Sequence, residues 1–312
     1  MKLLFLIDPL AKLKAYKDTS VSMMRAAAAR GHRIYAADPD ALSFDNGELR
    51  IAAQEIAVRG DNANWYEEKT GPQVSPCTKF DAILERKDPP FDMEYVYRTY
   101  LLERAEAAGV KVWNRPRAVR DLNEKMAILK HGDMIAPTAV ARDMPTLKAF
   151  HAEHGDVIFK PLDGMGGTGI FRARLGDPNL NVILETLTAN GTRTIMAQRY
   201  LPEIVEGDKR ILLIGGEVVP YCIARIPQAG ETRGNMAAGG KPVVRELSAS
   251  DRRIAETMAA RLWKEGLFLV GLDVIGDKVT EINVTSPTGF VEIEHQAKFN
   301  VAAMFIEQLE RA

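Results

Sequence analysis

Apolar runs of strand length alternate with segments of helical periodicity over residues 1–121. Buried strands are predicted at residues 3–8 (LLFLID), 33–37 (RIYAA), 81–86 (DAILER) and 110–114 (VKVWN), and helices at 19–30 and 94–109. Asn46-Gly47 marks a hairpin turn between the runs LSF and LRIAA. Strands that alternate with helices imply a mostly parallel sheet, so residues 1–121 are predicted to form an N-terminal α/β domain.

Shorter elements follow after residue 121. The stretch 122–200 predicts a small α+β module, with helices at 122–132, 145–155 and 181–191 and strands at 136–142 and 194–201. The stretch 201–312 predicts a hairpin turning at Gly215-Gly216, a helix at 251–266, a hairpin turning near Gly276-Asp277 and a closing helix at 298–311. Residues 226–241 show no periodicity, and a loop of that length inside a compact domain is usually functional or disordered.

A glycine-rich loop separates two β-prone runs between Val157 and Phe171, in the sequence VIFKPLDGMGGTGIF. The spacing Gly164-x-Gly166-x-x-Gly169 matches the dinucleotide fingerprint, but that fingerprint requires a helix directly after the glycines. The residues that follow, IFRAR, are typical of a strand. We therefore predict a strand–loop–strand flap over phosphate groups, with Lys160 as their counter-charge. An ordinary hairpin with a mobile tip is the alternative.

Composition adds few constraints. The chain has 312 residues, 46% hydrophobic and 27% charged, which is enough for a large core and two or three domains. A net charge of −1 favours neither nucleic acid nor an anionic membrane as a partner. Two widely separated cysteines, Cys77 and Cys222, fit a reduced cytosolic compartment. The opening apolar run is too short for a signal peptide, and no segment reaches the length of a membrane span.

Acidic and amide side chains converge on the predicted hairpin of residues 267–285. Glu281 and Asn283 are two positions apart on one strand, so their side chains share a face, and Asp273 lies on the preceding strand. Two carboxylates and an amide oxygen suit Mg²⁺, which takes few protein ligands together with substrate phosphates. The alternative is the polar face of an exposed hairpin, but the apolar surroundings (LFLVGLDVI) indicate a central position.

Basic side chains accompany this acidic group. Arg210 and Arg225 lie on the first hairpin and Arg233 lies in the long loop, and arginines beside a carboxylate–metal site suggest an anionic substrate. Surface salt bridging is the alternative. Asp8 and Arg86 follow predicted strands, at the sheet edge where α/β domains bind ligands, although each could be an ordinary loop charge.

Taken together, these motifs resemble those of the bacterial glutathione synthetases, a family within the ATP-grasp ligases. The resemblance covers essentially the whole chain in order, and it rests on IDP at 7–9, RKDPPFD at 86–92, NEK at 123–125, KPLDGMGGTGIFR at 160–172, AQRYLP at 197–202, GDKR at 207–210, PYCIARIPQAGETRGN at 220–235 and GLDVIGDKVTEINVTSPT at 271–288. It implies a Rossmann-like N-terminal domain (1–121), an ATP-grasp lid (122–200) and a C-terminal ATP-grasp subdomain (201–312), with ATP between the last two.

The resemblance also implies roles for individual residues. ATP is expected to contact Lys125, Lys160, Gly164, Gly166, Gly167, Gln198, Tyr200, Leu201 and Asp208. Mg²⁺, with Mn²⁺ as an alternative, is expected on Asp273, Glu281 and Asn283. The substrate γ-glutamylcysteine is expected on Arg86, Arg233, Asn235 and Ser286. Arg210, Arg225 and Lys160 are the expected catalytic residues, with Arg225 as the donor to the tetrahedral oxyanion.

In the implied reaction, γ-glutamylcysteine is joined to glycine through an acyl phosphate, and ATP is converted to ADP and phosphate. A cytoplasmic homotetramer is also implied. Other ATP-grasp ligases, of the D-alanine–D-alanine or glutamate-adding type, would share the lysines and metal ligands but are not expected to share RKDPPFD, ARIPQAGETRGN or TSPT. A non-catalytic ATP-binding module is the third alternative, and such a module would be expected to have lost a metal ligand or Arg225.

Overall fold

Three β-sheets with flanking helices form the protein in a computed structural model that describes residues 1–228, 230, 231, 233, 234 and 239–312. Mixed α/β architecture was predicted and is confirmed. Within the described residues, every helix is too short or too polar to cross a lipid bilayer.

The N-terminal sheet has eight strands in the order β3-β4-β2-β1-β7-β8, with β5 and β6 also paired to β4. Its strands are β1 (Lys2–Leu6), β2 (Arg33–Ala37), β3 (Leu42–Asp45), β4 (Glu48–Val58), β5 (Tyr66–Glu68), β6 (Gln73–Pro76), β7 (Ala82–Glu85) and β8 (Lys111–Trp113). The four strands β2, β1, β7 and β8 run parallel, as the alternation of strands and helices predicted. Asn46 and Gly47 both have positive φ in the β3–β4 turn, which is the conformation an Asn-Gly hairpin requires.

Helices cover this sheet and connect it to the rest of the chain. They are α1 (Thr19–Ala29), α2 (Met93–Ala107) and α3 (Pro116–Asp121), and short 3-10 helices lie at Leu10–Lys12 and Cys77–Lys79. Asp18 and Asp92 cap α1 and α2 by accepting hydrogen bonds from backbone N–H groups in the first turn. Because β1 and β7 are adjacent and parallel, the residues after them reach the same edge of the sheet.

The middle sheet has four antiparallel strands in the order β11-β10-β12-β9. Its elements are β9 (Thr138–Ala141), α4 (Met144–His154), β10 (Asp156–Pro161), β11 (Phe171–Arg174), α5 (Leu180–Thr188) and β12 (Ile195–Arg199). Residues 162–170 join β10 directly to β11, so the predicted strand–loop–strand flap is confirmed. The helix predicted at 122–132 is wrong in type: Met126–Met134 is a 3-10 helix whose backbone leaves helical geometry at His131.

The C-terminal sheet has five antiparallel strands in the order β15-β14-β13-β16-β17. Its elements are β13 (Asp208–Ile214), β14 (Glu217–Ile226), β15 (Lys241–Glu246), α6 (Ala249–Lys264), β16 (Leu269–Ile275), β17 (Lys278–Asn283), α7 (Phe290–Ala297) and α8 (Val301–Arg311), with a 3-10 helix at Pro202–Glu206 before them. The two predicted hairpins are confirmed. The closing helix begins at Val301 rather than at residue 298, because Asn300 caps it.

One hydrophobic cluster is shared by the two ends of the chain. Leu3 and Phe5 of β1 belong to the same buried cluster as Leu212 of β13, Phe268 and Phe305. The N-terminal and C-terminal sheets are therefore held together by apolar burial, which fixes the loops after β1 and β7 against the C-terminal sheet.

Candidate functional site

A row of charged side chains crosses the C-terminal sheet. Arg210 of β13 lies opposite Asp273 of β16, and Asp273 lies opposite Glu281 of β17. Adjacent strands are about 4.8 Å apart, so these three residues occupy neighbouring positions on one face. Asn283 is two residues beyond Glu281 and shares its face. The predicted convergence of Asp273, Glu281 and Asn283 thus follows from the strand pairing.

Asp273 is buried between two arginines. Arg210 donates from Nε to Oδ1 at 2.5 Å and from Nη2 to Oδ2 at 3.1 Å, and Arg225 Nη2 lies 2.8 Å from Oδ2. Burial disfavours the carboxylate, but Arg210 and Arg225 together hold the pKa of Asp273 well below its ordinary value. Asp273 is therefore ionised at neutral pH.

Arg225 also bonds Asp208, its partner across the β13–β14 pair. Its Nη2 donates to Asp208 Oδ2 at 2.5 Å and its Nε to the Asp208 carbonyl at 3.2 Å. Burial opposes the charge on Arg225, yet Asp208 and Asp273 raise its pKa above the ordinary value. Burial also raises the pKa of Asp208, and Arg225 offsets part of that rise. Asp208, Arg225 and Asp273 thus form a buried ion-pair network, in which Arg225 stabilises the negative charge of both carboxylates.

The donor set on β16 and β17 fits a divalent cation. Asn283 donates from Nδ2 to the Gly271 carbonyl at 3.1 Å, which leaves its Oδ1 as a free acceptor on the face it shares with Glu281. Glu281 already attracts a cation, because Lys125 Nζ lies 2.9 Å from its Oε1. Carboxylate and amide oxygens at Asp273, Glu281 and Asn283 are hard ligands of the kind that Mg²⁺ and Mn²⁺ accept.

Two lysines from outside the C-terminal sheet approach the row of charged side chains. Lys125 donates to the Gly164 carbonyl at 2.5 Å as well as pairing with Glu281, and Lys160 of β10 donates to the Thr280 carbonyl at 3.2 Å. Burial lowers the pKa of Lys160 to about 8, although nearby Glu281 opposes that effect. Both ammonium groups therefore face the strand that carries Glu281, where they can meet phosphate oxygens.

The glycine-rich loop contacts one of these lysines, since its Gly164 carbonyl accepts from Lys125. Gly166, Gly167 and Gly169 have positive φ, a conformation that other residues adopt only with strain. The Gly167 carbonyl accepts a hydrogen bond of 3.3 Å from Arg233 Nη1. The loop is thus connected to Lys125 through Gly164 and to the long loop through Arg233.

The first of two adjoining cavities contains most of the residues predicted to hold ATP. Its wall includes Lys125, Lys160, Gln198, Tyr200, Leu201, Asp208, Arg233, Asp273 and Glu281. One oxygen of Asp208, Oδ1, is buried without a hydrogen-bond donor among the described residues. A buried unpaired acceptor is costly, and a ligand hydroxyl would satisfy it. The ring of Tyr200 is covered by the Arg172 guanidinium at 3.4 Å, and Arg172 is anchored to Asp156.

The second cavity, of about 250 Å³, lies across Glu281 from the first. Arg210, Arg225, Asn283, Gly164 and Gly166 line it together with Ser286. Its wall also includes Asp88, Glu124 and Thr285, none of which the sequence predicted as site residues. Glu124 lies in the motif NEK and Asp88 lies in RKDPPFD, so these motifs were the sequence signal that could have identified both as site residues.

Of the predicted substrate contacts within the described residues, Ser286 lines the second cavity, Arg233 lines the first, and Arg86 lines neither. Arg86 is buried behind the second cavity, where its Nε donates to Ser20 Oγ at 3.0 Å and its Nη2 to the Pro287 carbonyl at 2.9 Å. It supports the cavity wall through residue 287, and contact with substrate stays a prediction. Ser286 is on the wall and donates to Asp88. Asn235 lies outside the described residues.

Two protein-family models match successive parts of the chain. Residues 1–120 match the model of the prokaryotic glutathione synthetase N-terminal domain, and residues 124–298 match that of the prokaryotic glutathione synthetase ATP-grasp domain. The chain is 59% identical to the glutathione synthetase of Bordetella parapertussis, over 100% of this chain and 99% of that protein. It is 49% identical to the glutathione synthetase of Escherichia coli, over 99% and 98%.

Solved structures share the fold at much lower identity. The D-cycloserine synthetase DcsG superposes with a TM-score of 0.68 at 17% identity, over 99% of each chain. The ATP-grasp ligase PsnB in complex with a minimal precursor gives 0.64 at 19%, over 100% of this chain and 99% of that one. These likenesses support the ATP-grasp architecture alone.

Proposed function

The chain belongs to the prokaryotic glutathione synthetase family, and we infer that its two adjoining cavities hold ATP and γ-glutamylcysteine during the ATP-dependent synthesis of glutathione. The chain is an ATP-dependent ligase of this family. The residue-level proposal rests on the charged row of Arg210, Asp273 and Glu281, which lies between the two cavities.

In the first half-reaction, the cysteinyl carboxylate attacks the γ-phosphate of ATP, forming an acyl phosphate and releasing ADP. Both reactants are anions, so the protein must neutralise charge and align them. Lys125 and Lys160 supply positive charge to the phosphates from the lid. Asp208, with its unpaired Oδ1, would accept a hydrogen bond from a ribose hydroxyl, and the strand end from Gln198 to Leu201 would border adenine.

Asp273, Glu281 and Asn283 would hold Mg²⁺ or Mn²⁺. A bound cation of this kind would screen the phosphate charges and polarise the transferring group. Lys125 occupies the Oε1 side of Glu281 and the two arginines occupy Asp273. With a cation held on these ligands, Lys125 would be free to turn from Glu281 toward phosphate.

In the second half-reaction, the glycine amine attacks the acyl phosphate carbonyl, and the C–N bond forms as phosphate and a proton leave. The tetrahedral intermediate carries an oxyanion that needs a fixed donor. Arg225 lines the second cavity and is held by Asp208 and Asp273, so its guanidinium is already oriented. Arg210 lies beside it on the neighbouring strand, and the two supply positive charge at that end of the cavity.

Water must be kept from the acyl phosphate. Gly164 and Gly166 contribute to the wall of the second cavity, and Arg233 of the long loop donates to Gly167. Arg233 and the glycine loop would therefore help to cover the reacting groups, as lids do in enzymes with hydrolysable intermediates.

The test is phosphate release from ATP across a panel of amino acids and γ-glutamyl dipeptides. We expect release only when γ-glutamylcysteine and glycine are both supplied. Equal turnover with D-alanine in place of both would support a D-alanine ligase. ATP binding without turnover on any pair would support a non-catalytic module.

Association and cell compartment are further proposals that rest on family membership. We expect a homotetramer in the cytoplasm. Light scattering of the purified protein would measure the assembly mass, and a mass of one subunit across the working concentration range would contradict the tetramer.

A further inference from the structure

Glu124 presents an unpaired carboxylate oxygen to the second cavity. Its Oε1 accepts hydrogen bonds from Val284 N at 2.9 Å, Thr285 N at 3.2 Å and Thr285 Oγ1 at 3.0 Å. Among the described residues, no donor reaches its Oε2 and no lysine, arginine or histidine forms an ion pair with it. Because a half-buried carboxylate lacks a cationic partner, this end of the cavity favours a positive ligand group.

The cavity is electrically asymmetric. β17 is the last strand of its sheet, and Glu124 lies beyond it, with its carbonyl accepting from Ile282 N at 2.9 Å. Arg210 lies two strands in from β17 and Arg225 three strands in. At about 4.8 Å per strand, the backbones of these arginines are roughly 10 and 14 Å from β17, and both guanidinium groups extend to Asp273 on β16. One part of the wall therefore carries two arginine donors whose charges are paired with Asp208 and Asp273, and another part carries Glu124, which has no ion pair among the described residues.

We propose that Glu124 is the residue that binds the ammonium group of the incoming glycine. This inference rests on the proposed function, because it takes the cysteinyl carboxylate and its acyl phosphate to lie between Glu124 and the arginines. It assigns the amine to Glu124 and the developing oxyanion to the arginine donors, Arg225 first. Both reacting groups would then be oriented before the C–N bond forms.

The γ-glutamyl part of the dipeptide also carries an ammonium group, but its position is less suitable. The Glu124 carboxylate shares the cavity wall with Glu281 and is subject to its negative charge, and Glu281 pairs with Lys125, so Glu124 lies toward the proposed phosphate-binding side. The γ-glutamyl ammonium is several bonds away from the cysteinyl carboxylate that receives the phosphoryl group. An ammonium bound beside the phosphate-binding side is therefore that of the attacking amine.

Burial and the negative charge of Glu281 raise the pKa of Glu124, while the N–H and O–H donors at its Oε1 oppose the rise. A carboxylate in that environment gains from a cation in contact with it. The geometry alone is also compatible with a purely structural role, in which Glu124 only holds residues 284 and 285. A test must therefore separate loss of charge from loss of these hydrogen bonds.

Glu124→Gln makes that separation, because the amide keeps a carbonyl oxygen for Val284 and Thr285 but loses the charge. With ATP and γ-glutamylcysteine saturating, we expect the KM for glycine to rise about 10- to 100-fold, the loss typical of one charged hydrogen bond. The KM values for ATP and γ-glutamylcysteine should stay within about twofold of wild type. Glu103→Gln is the matched control, since Glu103 pairs with Arg120 and lines neither cavity.

Trapping with hydroxylamine, an uncharged nucleophile at neutral pH, distinguishes this proposal from the proposed function. It attacks the acyl phosphate carbonyl, gives a hydroxamate and releases phosphate. Wild type and Glu124→Gln should form hydroxamate at similar rates. Absence of hydroxamate with the wild type would contradict the acyl phosphate itself. Absence only with the variant would overturn the glycine role.

Three other results would also overturn the proposal. An unchanged KM for glycine would leave Glu124 as a structural clamp. A raised KM for γ-glutamylcysteine would place the dipeptide ammonium there, and a raised Mg²⁺ requirement alone would make Glu124 a cation ligand. Should the variant fail to fold, wild-type inhibition by methylammonium decides the question: competition with glycine supports the proposal, and competition with γ-glutamylcysteine overturns it.

Discussion

Arg225 joins two buried carboxylates, so we predict that its side chain stabilises the fold, besides the part in turnover proposed for it. If this guanidinium is removed, Asp208 loses its ion-pair partner and Asp273 keeps only Arg210. Removing one partner from a buried ion pair typically costs about 3–5 kcal/mol, because the remaining charge is uncompensated.

Arg225→Ala should therefore lower the free energy of unfolding by about 3–5 kcal/mol, in addition to abolishing turnover. Urea denaturation at neutral pH measures the loss. Arg117→Ala is the control, since Arg117 is 78% exposed in its pair with Asp121 and should change stability by less than about 1 kcal/mol. Equal stability of Arg225→Ala and wild type would show that the carboxylates find other partners.

Glu85 is a buried carboxyl group whose ionisation opposes folding. Burial raises its pKa to about 7, and Arg98, with Nη1 at 3.3 Å from Oε1, only partly offsets the effect. Tyr95 also faces this group from α2. The folded protein therefore retains a proton on Glu85 at pH values where the unfolded chain has lost it. By linkage, this contribution to stability is complete below the unfolded pKa and declines as pH rises through about 7.

Between pH 5 and pH 8, wild type should lose about 2–3 kcal/mol of unfolding free energy relative to Glu85→Gln, which cannot ionise. Urea denaturation of both proteins at several pH values measures the difference, and all other titrating groups cancel. A difference that stays constant with pH would mean that Glu85 is already ionised at pH 5.

At the residue scale, the sequence predicted which residues lie close together on one strand or on paired strands. It did not predict contacts between segments that are distant in the chain. Glu281 and Asn283 share a face by the strand period, and Asp273 joins them by pairing, so their convergence could be predicted. The contact of Arg86 with the Pro287 carbonyl and that of Glu124 with Thr285 join segments about 160–200 residues apart. No local pattern encodes such contacts, so neither the contact of Arg86 with residue 287 nor the position of Glu124 on the cavity wall could be predicted from such patterns.

The glycine loop depends on conformations that only glycine adopts easily. Gly169 has φ +71°, and a Cβ there would lie 3.2 Å from Pro161 Cγ. Gly169→Ala should strain the loop by about 1–2 kcal/mol, which corresponds to a rise of roughly 5- to 30-fold in the KM for ATP. Without ATP the variant loop is expected to relax from this conformation, so the strain raises the cost of ATP binding and the melting temperature should change little.

Gly60→Ala provides the control for this loop variant. A Cβ at Gly60 would meet nothing within 4 Å, and its φ lies outside the left-handed region. Its KM for ATP should equal that of wild type. A KM for Gly169→Ala that also equals wild type would show that the loop does not need this conformation when ATP binds.

At the scale of elements, periodicity identified the long helices and the central strands. It failed where a segment is short or depends on neighbours. Met126–Met134 has helical periodicity, but Asn123 Oδ1 accepts from the N–H groups of Lys125 and Met126 and fixes a tighter 3-10 start. The helix Phe290–Ala297 was not predicted, because its eight residues are too few to show a clear period.

At the scale of the whole molecule, Asn114 connects the N-terminal and C-terminal sheets through backbone hydrogen bonds. Its Nδ2 donates to the carbonyls of Leu269 and Val284, both at 2.8 Å, and its Oδ1 accepts from Phe268 N at 2.7 Å and Leu269 N at 2.8 Å. The side chain is buried and all its hydrogen-bonding capacity is used. Val284 follows directly after Asn283, so this connection also positions the strand end that carries the predicted metal ligands.

Asn114→Ala should therefore cost at least about 3 kcal/mol of unfolding free energy, since it leaves four buried backbone groups without a partner.

We also expect the wild type to unfold in one transition, because a single apolar cluster includes Phe5 and Phe268 from the two sheets. Urea unfolding followed by both far-UV circular dichroism and tryptophan fluorescence tests this: the two curves should coincide for wild type and separate for Asn114→Ala. Asn64→Ala, at an exposed position, should behave as wild type. If the two curves already separate for the wild type, the sheets unfold independently, and the buried contacts of Asn114 do not couple the site to the N-terminal domain.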